Sequence, residues 1–236
     1  VMWLDTRQAK TEDKIDKMIV DGYGPYFERL GAGPLPGERM EEYWESVLDL
    51  FDSFQILCAH RQGDLGVEAM NLRCEKLLAK VFLRDGVKGV FYAGRPIIVR
   101  QNSPRLQRFN GDMALLMPVS ETLKGINRQG FYQALFRGAG GGFDMLPAYR
   151  LPRHDTAFAI TIHQSQGSEF DKTMVMFADR DSTLLTRELL YTGLTRSIKN
   201  VTMVGSRDLL LKMATKKAAR ASGMSRRLRQ LTRKLS

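Results

Sequence analysis

The stretch TIHQSQGSEFD, residues 161–171, lies between two short apolar runs, AFAI (157–160) and MVMF (174–177). Apolar runs of this length, bounded by polar residues, are typical of buried strands. A loop so rich in small polar side chains adds nothing to a hydrophobic core, whereas loops that follow the carboxyl ends of parallel strands form the ligand sites of α/β sheets. The stretch therefore predicts an α/β fold with a binding loop at this position.

Strand and helix patterns alternate before this loop. After the Gly- and Pro-rich segment 22–37, which we interpret as turns, apolar residues with helical spacing span 40–51. The apolar run 54–60, FQILCAH, predicts a buried strand, and a second helical pattern covers 67–81 beyond the break RQGDLG. This is a strand, loop and helix unit.

The same alternation continues after the loop. We expect a helix start within the polar stretch, then the strand TMVMF, the helix TRELLYTGLTRS (186–197), the strand NVTMVG and the helix SRDLLLKMA, capped by Ser206. Strands that alternate with helices at these spacings predict a parallel sheet covered by helices on both faces.

Between the two α/β parts, the pattern changes to short β-rich runs. From about residue 90 to 160, Gly, Pro and Asn turns separate the runs GVFYAG, RPIIVRQN, DMALLMP, GFYQALF and FDMLPAY. We interpret this region as a small all-β insertion. The predicted division is an α/β domain formed by residues 1–101 and 155–236, with the insertion at 102–154.

Composition excludes several classes of protein. The 236 residues are 43% hydrophobic, which is enough for one large core or two small ones. No stretch approaches the roughly 18 uncharged apolar residues of a membrane span, and VMWLDTRQ at the start has no signal-peptide pattern and no initiator Met. We expect a cytoplasmic protein and a chain that is a piece of a longer one.

The two cysteines do not predict a disulfide framework or a metal site. Cys58 and Cys74 lie in apolar surroundings, which favours reduced thiols in the core. Cys58 and His60 form a single C-x-H pair without the second pair that a zinc site requires, so we predict core packing and no bound metal.

Positive charge is concentrated at the end of the chain. The net charge is +10, and nine Lys or Arg residues with no acid lie within 209–236. Such a segment attracts phosphate backbones, but a solvated tail has the same composition, and its alternation of Arg with Leu also fits docking to a partner subunit.

The polar loop carries side chains suited to a phosphate-containing ligand. Thr161, Ser165 and Ser168 offer hydroxyl groups, Gly167 allows a close backbone approach, and Glu169 can accept a hydrogen bond from a ribose hydroxyl or cap a helix. An ordinary capped loop has the same composition. Spacing alone therefore leaves both interpretations open.

Two arginines stand beside predicted strand ends. Arg61 directly follows the strand FQILCAH, and Arg196 ends the helical segment before the strand NVTMVG. Planar guanidinium groups pair bidentately with phosphate and stabilise transferred charge. Each arginine taken singly also fits a surface ion pair.

Four segments resemble motifs of superfamily 1 DNA helicases of the RecD type. TIHQSQGSEFD resembles motif V, TRELLYTGLTRS resembles motif VI, and ILCAHRQGDLGVEAMN resembles motif IV. YAGRPIIVRQNSPRLQRFNGD is similar to the stretch that opens the SH3-like insertion of that family. The resemblance runs in order over about residues 20–225. It implies the second RecA-like motor domain of a helicase, with a small SH3-like β-barrel inserted in it.

The resemblance also implies a role for each matched residue. Arg61 and Arg196 would contact the γ-phosphate of ATP, Gly167 and Glu169 would contact the nucleotide, and the DNA-facing residues would be Thr161, His163, Gln164 and Ser165. Mg²⁺ would accompany ATP in the intact protein. The implied partners are single-stranded DNA and the beta and gamma subunits of exodeoxyribonuclease V, with translocation from 5′ to 3′.

The sequence departs from the family pattern in two places. Gln164 stands where the family usually has Lys, which weakens a contact to a DNA phosphate, and Ser197-Ile198 replace the usual small-basic pair, leaving Lys199 as the nearest positive charge.

The 236 residues also contain no G-x-x-x-x-G-K-[ST] phosphate loop, and the glycine run at 138–142 lacks the Lys. We therefore expect this chain alone not to hydrolyse ATP. The alternatives are a non-catalytic module for single-stranded DNA binding or subunit docking, and a motor half from another superfamily 1 branch, such as a conjugative relaxase helicase.

Overall fold

A computed structural model describes residues 1–82, 90–118, 132–138, 140–180 and 182–218. The described part contains ten strands and five α-helices. The strands are Met2–Leu4 (β1), Phe54–Cys58 (β2), Arg95–Val99 (β3), Met113–Pro118 (β4), Tyr132–Arg137 (β5), Phe143–Pro147 (β6), His154–Thr156 (β7), Ala159–Thr161 (β8), Phe170–Met176 (β9) and Ser197–Val204 (β10). The helices are Thr11–Ala32 (α1), Met40–Asp52 (α2), Val67–Phe82 (α3), Arg187–Leu194 (α4) and Arg207–Thr215 (α5).

The predicted parallel sheet is confirmed. Its strand order is β1-β10-β9-β2-β8, and every neighbouring pair is parallel. The predicted strands and helices around it are confirmed as β2, α2, α3, β9, α4, β10 and α5. Ser206 caps α5 as expected, because its hydroxyl accepts a hydrogen bond from the backbone N–H of Leu209 at 3.3 Å.

Helices cover both faces of this sheet, because alternate residues of each strand point in opposite directions. In β2, Ile56 belongs to the core that also contains buried residues of α1, α2 and α3. Its neighbour Leu57 belongs to the core that contains Leu189 of α4 and Met213 of α5. The two faces of the parallel sheet are therefore packed against different helices.

The interpretation of 22–37 as turns is wrong for residues 22–32. These residues lie in α1, which continues through Pro25 and ends at Ala32; Gly33 follows as its C-cap, with φ at +68°. One side of α1 is buried by hydrophobic residues with helical spacing, and their packing outweighs the helix-breaking tendency of the glycines and Pro25. The buried residues are Ile15, Ile19, Tyr23, Tyr26 and Phe27. Gly22 has a packing role, because a Cβ there would lie 2.4 Å from the ring of Phe54.

The β-rich region forms a five-stranded antiparallel sheet with the order β6-β5-β4-β3-β7. It begins at Arg95, seven residues before the predicted boundary at 102, because β3 pairs with β4 and β7 rather than with the parallel sheet. The run GVFYAG does not form a strand in its described residues 90–94. Strands β6 and β7 are the two edges in this order, so closure into an SH3-like barrel remains a prediction, as does the domain division.

Buried tyrosines of α1 tie the two sheets together. The hydroxyl of Tyr23 donates to the carbonyl of Phe158, just before β8, and the hydroxyl of Tyr26 donates to the carbonyl of Gly94, just before β3. One face of β4 and β5 also joins the core under α1, through Leu115 of β4 and Leu135 of β5. The antiparallel sheet is thus packed against the α/β part.

Several predictions fall on residues that the structure does not describe. The basic segment from residue 219 onward and residues 119–131 of the insertion lie outside the described ranges. Both cysteines are buried and free. Within the described part, no helix has the length and apolar character needed to cross a membrane.

Candidate functional site

The polar loop runs from one end of the parallel sheet to the other. Thr161, at the end of β8, is level with Cys58 at the end of β2, and Cys58 is level with Met176 at the end of β9. The loop then returns to Phe170, which begins β9 beside Ser197, the first residue of β10. We call the two ends of the sheet the carboxyl edge and the amino edge, after the strand ends that they contain.

The loop consists of turns at residues 162–167, so the expected helix start within it is wrong. Side-chain hydrogen bonds close these turns. The Thr161 hydroxyl donates to Oε1 of Gln164 at 3.0 Å, and the Thr161 backbone N–H donates to the same oxygen at 3.1 Å. The backbone N–H of Gln164 in turn donates to the Thr161 hydroxyl oxygen at 3.2 Å. Gln164, where the family usually has Lys, thus serves as an acceptor that holds the loop.

Ser165 does not reach solvent. Its side chain is fully buried, and its hydroxyl donates to the carbonyl of Ile162 at 2.8 Å. Because the hydroxyl is used inside the loop, the structure gives Ser165 a role in loop conformation, and its contact with DNA stays a prediction. His163, in contrast, is exposed.

A groove of about 470 Å³ opens at the carboxyl edge. We call it the carboxyl-edge groove; its lining residues come from the segments that follow β2, β8 and β9, and they are Ala59, His60, Arg61, Gln62, Glu68, Thr161, His163, Arg180, Ser182 and Leu184. The N-terminal amides of α3 do not open into it, because the N–H groups of Val67 and Glu68 donate to the carbonyls of His60 and Arg61. These two amides of α3 are therefore not available to an anion in the groove.

His60 is the buried polar group of the carboxyl-edge groove. Only 9% of the residue is exposed, and both ring nitrogens are buried without a hydrogen-bond partner in the described structure. Burial, followed by the charge of Arg180, lowers the pKa of His60 below its ordinary value. The neutral ring keeps one N–H donor, which has no partner among the described residues.

A second cluster lies at the amino edge, where the loop approaches β9. It contains Gly167, Ser168, Glu169 and Arg196, and we call it the amino-edge cluster. The Arg196 guanidinium donates from Nη1 to the carbonyl of Ser168 at 3.2 Å, and the Arg196 carbonyl accepts from the N–H of Phe170 at 2.9 Å. Residues 28 positions apart in sequence therefore meet at one place.

The groups of this cluster are only partly used by the protein. Arg196 Nε is buried and has no partner in the described part of the chain. Glu169 is exposed, and Gly167 is exposed with φ at +91°, a conformation that side-chain-bearing residues rarely adopt. Ser168 and Glu169 also line a groove of about 710 Å³ between α2, the antiparallel sheet and the loop.

Helix α4 places Arg196 and explains the glycine in TRELLYTGLTRS. The hydroxyl of Thr186 caps α4 by accepting from the N–H of Leu189 at 3.3 Å. Gly193 lies against the sheet, where a Cβ would be 3.0 Å from Val175 Cγ1 and 3.2 Å from Ile162 Cδ1. The helix can approach the sheet and the start of the loop this closely because residue 193 has no side chain. Lys199, beyond the helix, is paired with Asp171 at 2.7 Å.

The structure does not bring the two predicted arginines together. Arg61 follows the carboxyl end of β2, whereas Arg196 precedes the amino end of β10, and these strands are parallel members of one sheet. Arg61 lies with Thr161 and His163 in the carboxyl-edge groove. The two arginines therefore belong to segments at opposite edges of the sheet, and a shared contact to the γ-phosphate stays a prediction.

Sequence reasoning did not select His60 or Arg180 as ligand-binding residues. The sequence predicts His60 to be a core residue and not a zinc ligand. Its position directly before Arg61, at the end of a predicted strand, is the feature that would have indicated a residue of a ligand site. Arg180 follows β9 by four positions at the same edge as Arg61 and Thr161. The rule that ligands meet the carboxyl ends of parallel strands would have included it.

Comparisons with known proteins agree with this arrangement of segments. Residues 156–204, from β8 to the end of β10, match the family model of the UvrD-like helicase C-terminal domain. The RecBCD enzyme subunit RecD of Mycobacterium tuberculosis is 37% identical over 204 residues, covering 86% of this chain and 33% of that protein. The corresponding subunit of Mycolicibacterium smegmatis is 33% identical over 205 residues, covering 87% and 34%.

Among solved structures, the Pif1 helicase from Bacteroides in complex with ADP-AlF3 and ssDNA is 14% identical with a TM-score of 0.42, covering 97% of this chain and 55% of that chain. At this score the likeness adds nothing to the assignment.

The sequence matches define a helicase region of the UvrD-like class. Within that class, the chain belongs to the RecD family, as a C-terminal helicase region. The chain spans about a third of the length of the curated RecD relatives that it matches.

Proposed function

We propose that this chain is the C-terminal motor half of an ATP-dependent DNA helicase subunit that acts in an exodeoxyribonuclease V (RecBCD) complex in DNA repair and recombination. The observation that carries the proposal is the amino-edge cluster. It joins the motif VI arginine to the motif V segment Gly167-Ser168-Glu169 through the hydrogen bond from Arg196 to the Ser168 carbonyl. A nucleotide bound at this cluster would contact residues of both motifs at once.

The amino-edge cluster fits the phosphates and ribose of ATP. Arg196 has an unpartnered Nε, and its guanidinium is held by hydrogen bonds of 3.2 and 3.4 Å, which are long enough to be exchanged for phosphate oxygens. Glu169 would accept from a ribose hydroxyl, and the backbone at Gly167 would allow a phosphate to approach. ATP, when bound, supplies the γ-phosphate whose hydrolysis drives the motor.

The remaining parts of the nucleotide site belong to the rest of the intact protein. In P-loop enzymes the phosphate-loop Ser or Thr and an acidic strand end hold Mg²⁺. Neither a phosphate loop nor such a strand end is present in the 236 residues. The chain would thus bind one side of ATP·Mg²⁺ and contribute a positive charge at the γ-phosphate.

The carboxyl-edge groove would bind single-stranded DNA. His163 is exposed beside Thr161, so an imidazole and a backbone turn face a passing strand. Gln164 and Ser165 support this surface by fixing the loop. The same loop connects the groove to the amino-edge cluster, so a shift at the nucleotide has a direct route to the DNA.

Other features of the proposal come from the family alone. They are 5′ to 3′ translocation, assembly with the beta and gamma subunits of exodeoxyribonuclease V, and an SH3-like character of the antiparallel sheet. In the proposed complex, the nuclease activity would reside in a partner subunit.

The proposal is tested by ATP hydrolysis in the intact protein with saturating single-stranded DNA. Arg196→Ala should lower kcat by roughly 10³-fold, as expected when an arginine at a transferred phosphate is removed. Arg187→Ala is the matched control, because Arg187 is an exposed arginine at the start of α4, the helix that leads to Arg196, and it pairs with its neighbour Glu188. Equal activity of both variants and the parent would instead favour the non-catalytic DNA-binding or docking module.

A further inference from the structure

Strand β10 contains one extra residue where it runs beside the start of β9. The register of the two strands shifts between Ser197 and Asn200. Two residues of β10, Ile198 and Lys199, therefore lie opposite the single residue Asp171 of β9. A β-bulge of this kind changes the direction in which a side chain points, and bulges are common next to functional sites. This bulge lies directly beside the amino-edge cluster.

The extra residue determines which charge Lys199 meets. In an uninterrupted ladder, Lys199 would be level with Lys172, and like charges directly opposite each other on neighbouring strands are destabilising. With the bulge, Lys199 lies opposite Asp171, and its Nζ is 2.7 Å from Asp171 Oδ2. The bulge thus replaces a repulsive neighbour with an ion pair.

Ser197 holds the bulge in this conformation. Its hydroxyl donates to the carbonyl of Asn200 at 2.5 Å, and the carbonyl oxygen of Asp171 lies 3.2 Å from the same hydroxyl. The side chain of the residue that begins the bulge is therefore bonded to the backbone of the residue that ends it. The conformation that presents Lys199 to Asp171 is thus fixed by contacts within the bulge itself.

The ion pair is one of two side-chain contacts that join the segments of the amino-edge cluster on either side of Glu169. On one side, Arg196 Nη1 donates to the carbonyl of Ser168 at 3.2 Å. On the other side, Asp171 is paired with Lys199. Glu169 therefore lies between two contacts that both lead to residues 196–199, the segment that carries the motif VI arginine.

We propose that Lys199, through its ion pair with Asp171, is a positioning residue for the nucleotide contacts of the amino-edge cluster. The proposal rests on the proposed ATP-binding function of that cluster. Glu169 is exposed, so the place of its carboxylate depends on the backbone that carries it. While Lys199 and Asp171 are paired, this backbone stays beside Arg196, and a nucleotide meets both groups at once. Loss of the pair lets the segment move and weakens nucleotide binding.

The test uses the intact protein and a fluorescently labelled, non-hydrolysable ATP analogue, whose affinity is measured by anisotropy. The side chains of Lys199 and Asp171 are 61% and 34% exposed, and ion pairs this open to water are weak. We therefore expect Lys199→Ala and Asp171→Asn each to lower the affinity roughly two- to five-fold. The double variant should bind no more weakly than either single variant, because both changes remove the same contact.

Two control variants separate the ion pair from a general change of charge. Lys199→Arg keeps a cation opposite Asp171 and should restore the parental affinity. Lys172→Ala removes an exposed lysine from the next position of β9 and should bind the analogue as the parent does. In ATP hydrolysis with saturating single-stranded DNA, the effect of Lys199→Ala should appear in KM and not in kcat, because Arg196 keeps its own hydrogen bonds. Urea unfolding of each variant checks that affinity changes are not changes in stability.

The sign of the Asp171→Asn effect decides between positioning and a direct contact. Tighter binding by Asp171→Asn would overturn the proposal, because Lys199 would then bind a phosphate itself, with Asp171 as a competitor. Parental affinity in Lys199→Ala, or an equal loss in Lys172→Ala, would also overturn it. These results leave the proposed function standing as long as Arg196→Ala still lowers turnover. If Arg196→Ala hydrolyses ATP at the parental rate, the proposed function fails as well.

Discussion

The two ends of the parallel sheet differ in how they present their charged groups. At the amino edge, Arg196 meets an acidic and glycine-containing segment, and the guanidinium is partly buried with one unused nitrogen. At the carboxyl edge, Arg61 and Arg180 stand at an open groove around the buried His60. The first arrangement joins two separate segments of the chain in one compact cluster, whereas the second is an open groove lined by residues from several loops. One loop, 162–169, connects them.

A substitution at Gly193, where α4 packs against the sheet, tests the loop that connects the two edges. Among the changes described below, it should have the largest effect on stability. Gly193→Ala places a methyl group 3.0 Å from Val175 Cγ1 and 3.2 Å from Ile162 Cδ1, where the loop begins. We expect a loss of about 1–3 kcal/mol in the free energy of unfolding, measured in urea.

Gly31→Ala is the matched control for this change. A Cβ at Gly31 would meet nothing within 4 Å, and the residue lies inside α1. It should stabilise the protein by about 0.5–1 kcal/mol, because Ala is a better helix former than Gly. The same sign for both variants would mean that α4 does not pack on the sheet as closely as described.

A smaller effect is expected when the family's usual residue is restored in the loop. Gln164→Lys removes the oxygen that accepts from the Thr161 hydroxyl and N–H, which should cost about 1 kcal/mol of stability. It also adds a positive charge, so the salt dependence of binding to single-stranded DNA should steepen by about 0.7 in log–log slope if one phosphate is contacted.

Gln166→Lys places the same charge on an exposed residue of the same loop. It should leave stability unchanged, since none of the side-chain hydrogen bonds that close the loop involves Gln166. If both lysine variants have the same stability and the same salt slope, Gln164 does not differ from Gln166 in its contribution to stability or in its effect on DNA binding.

The smallest expected effect is a pH dependence at the carboxyl edge. Burial lowers the pKa of His60 in the folded state. As the pH falls below about 6.5, His60 therefore becomes protonated in the unfolded chain before it does so in the folded chain. Stability should therefore fall as the pH drops through this range, and the fall should be shallower in His60→Gln. Urea midpoints at several pH values measure this difference; an unchanged pH profile in His60→Gln would mean that the ring is not held neutral by the fold.

Much of the α/β part is predictable from the sequence because its signals are local. Helices α2 and α3 have regular apolar spacing, and β2 and β9 are compact apolar runs, so neighbouring residues specify the element. Helix α1 was missed in part because its glycines and Pro25 resemble turn signals. Gly22 is there for contact with Phe54, a residue 32 positions away that no local pattern identifies.

The candidate site was predicted only in part, for a related reason. The strand-end rule places a ligand loop after β8. Strands β8 and β9 are both parallel to β2, so the loop between them returns to the amino edge and carries Gly167 and Glu169 there. Neighbouring residues do not specify which strands lie side by side: β2 lies between β8 and β9, and this order depends on contacts between distant residues.

The most direct test of the amino-edge cluster compares Arg196→Ala with Arg187→Ala in the intact protein, measuring both ATP turnover and affinity for an oligothymidine. We predict that Arg196→Ala loses turnover by roughly 10³-fold and keeps its DNA affinity, whereas Arg187→Ala keeps both. Equal turnover in the two variants, or a loss of DNA affinity that accounts for the lost turnover of Arg196→Ala, would contradict the assignment of the amino-edge cluster to the nucleotide.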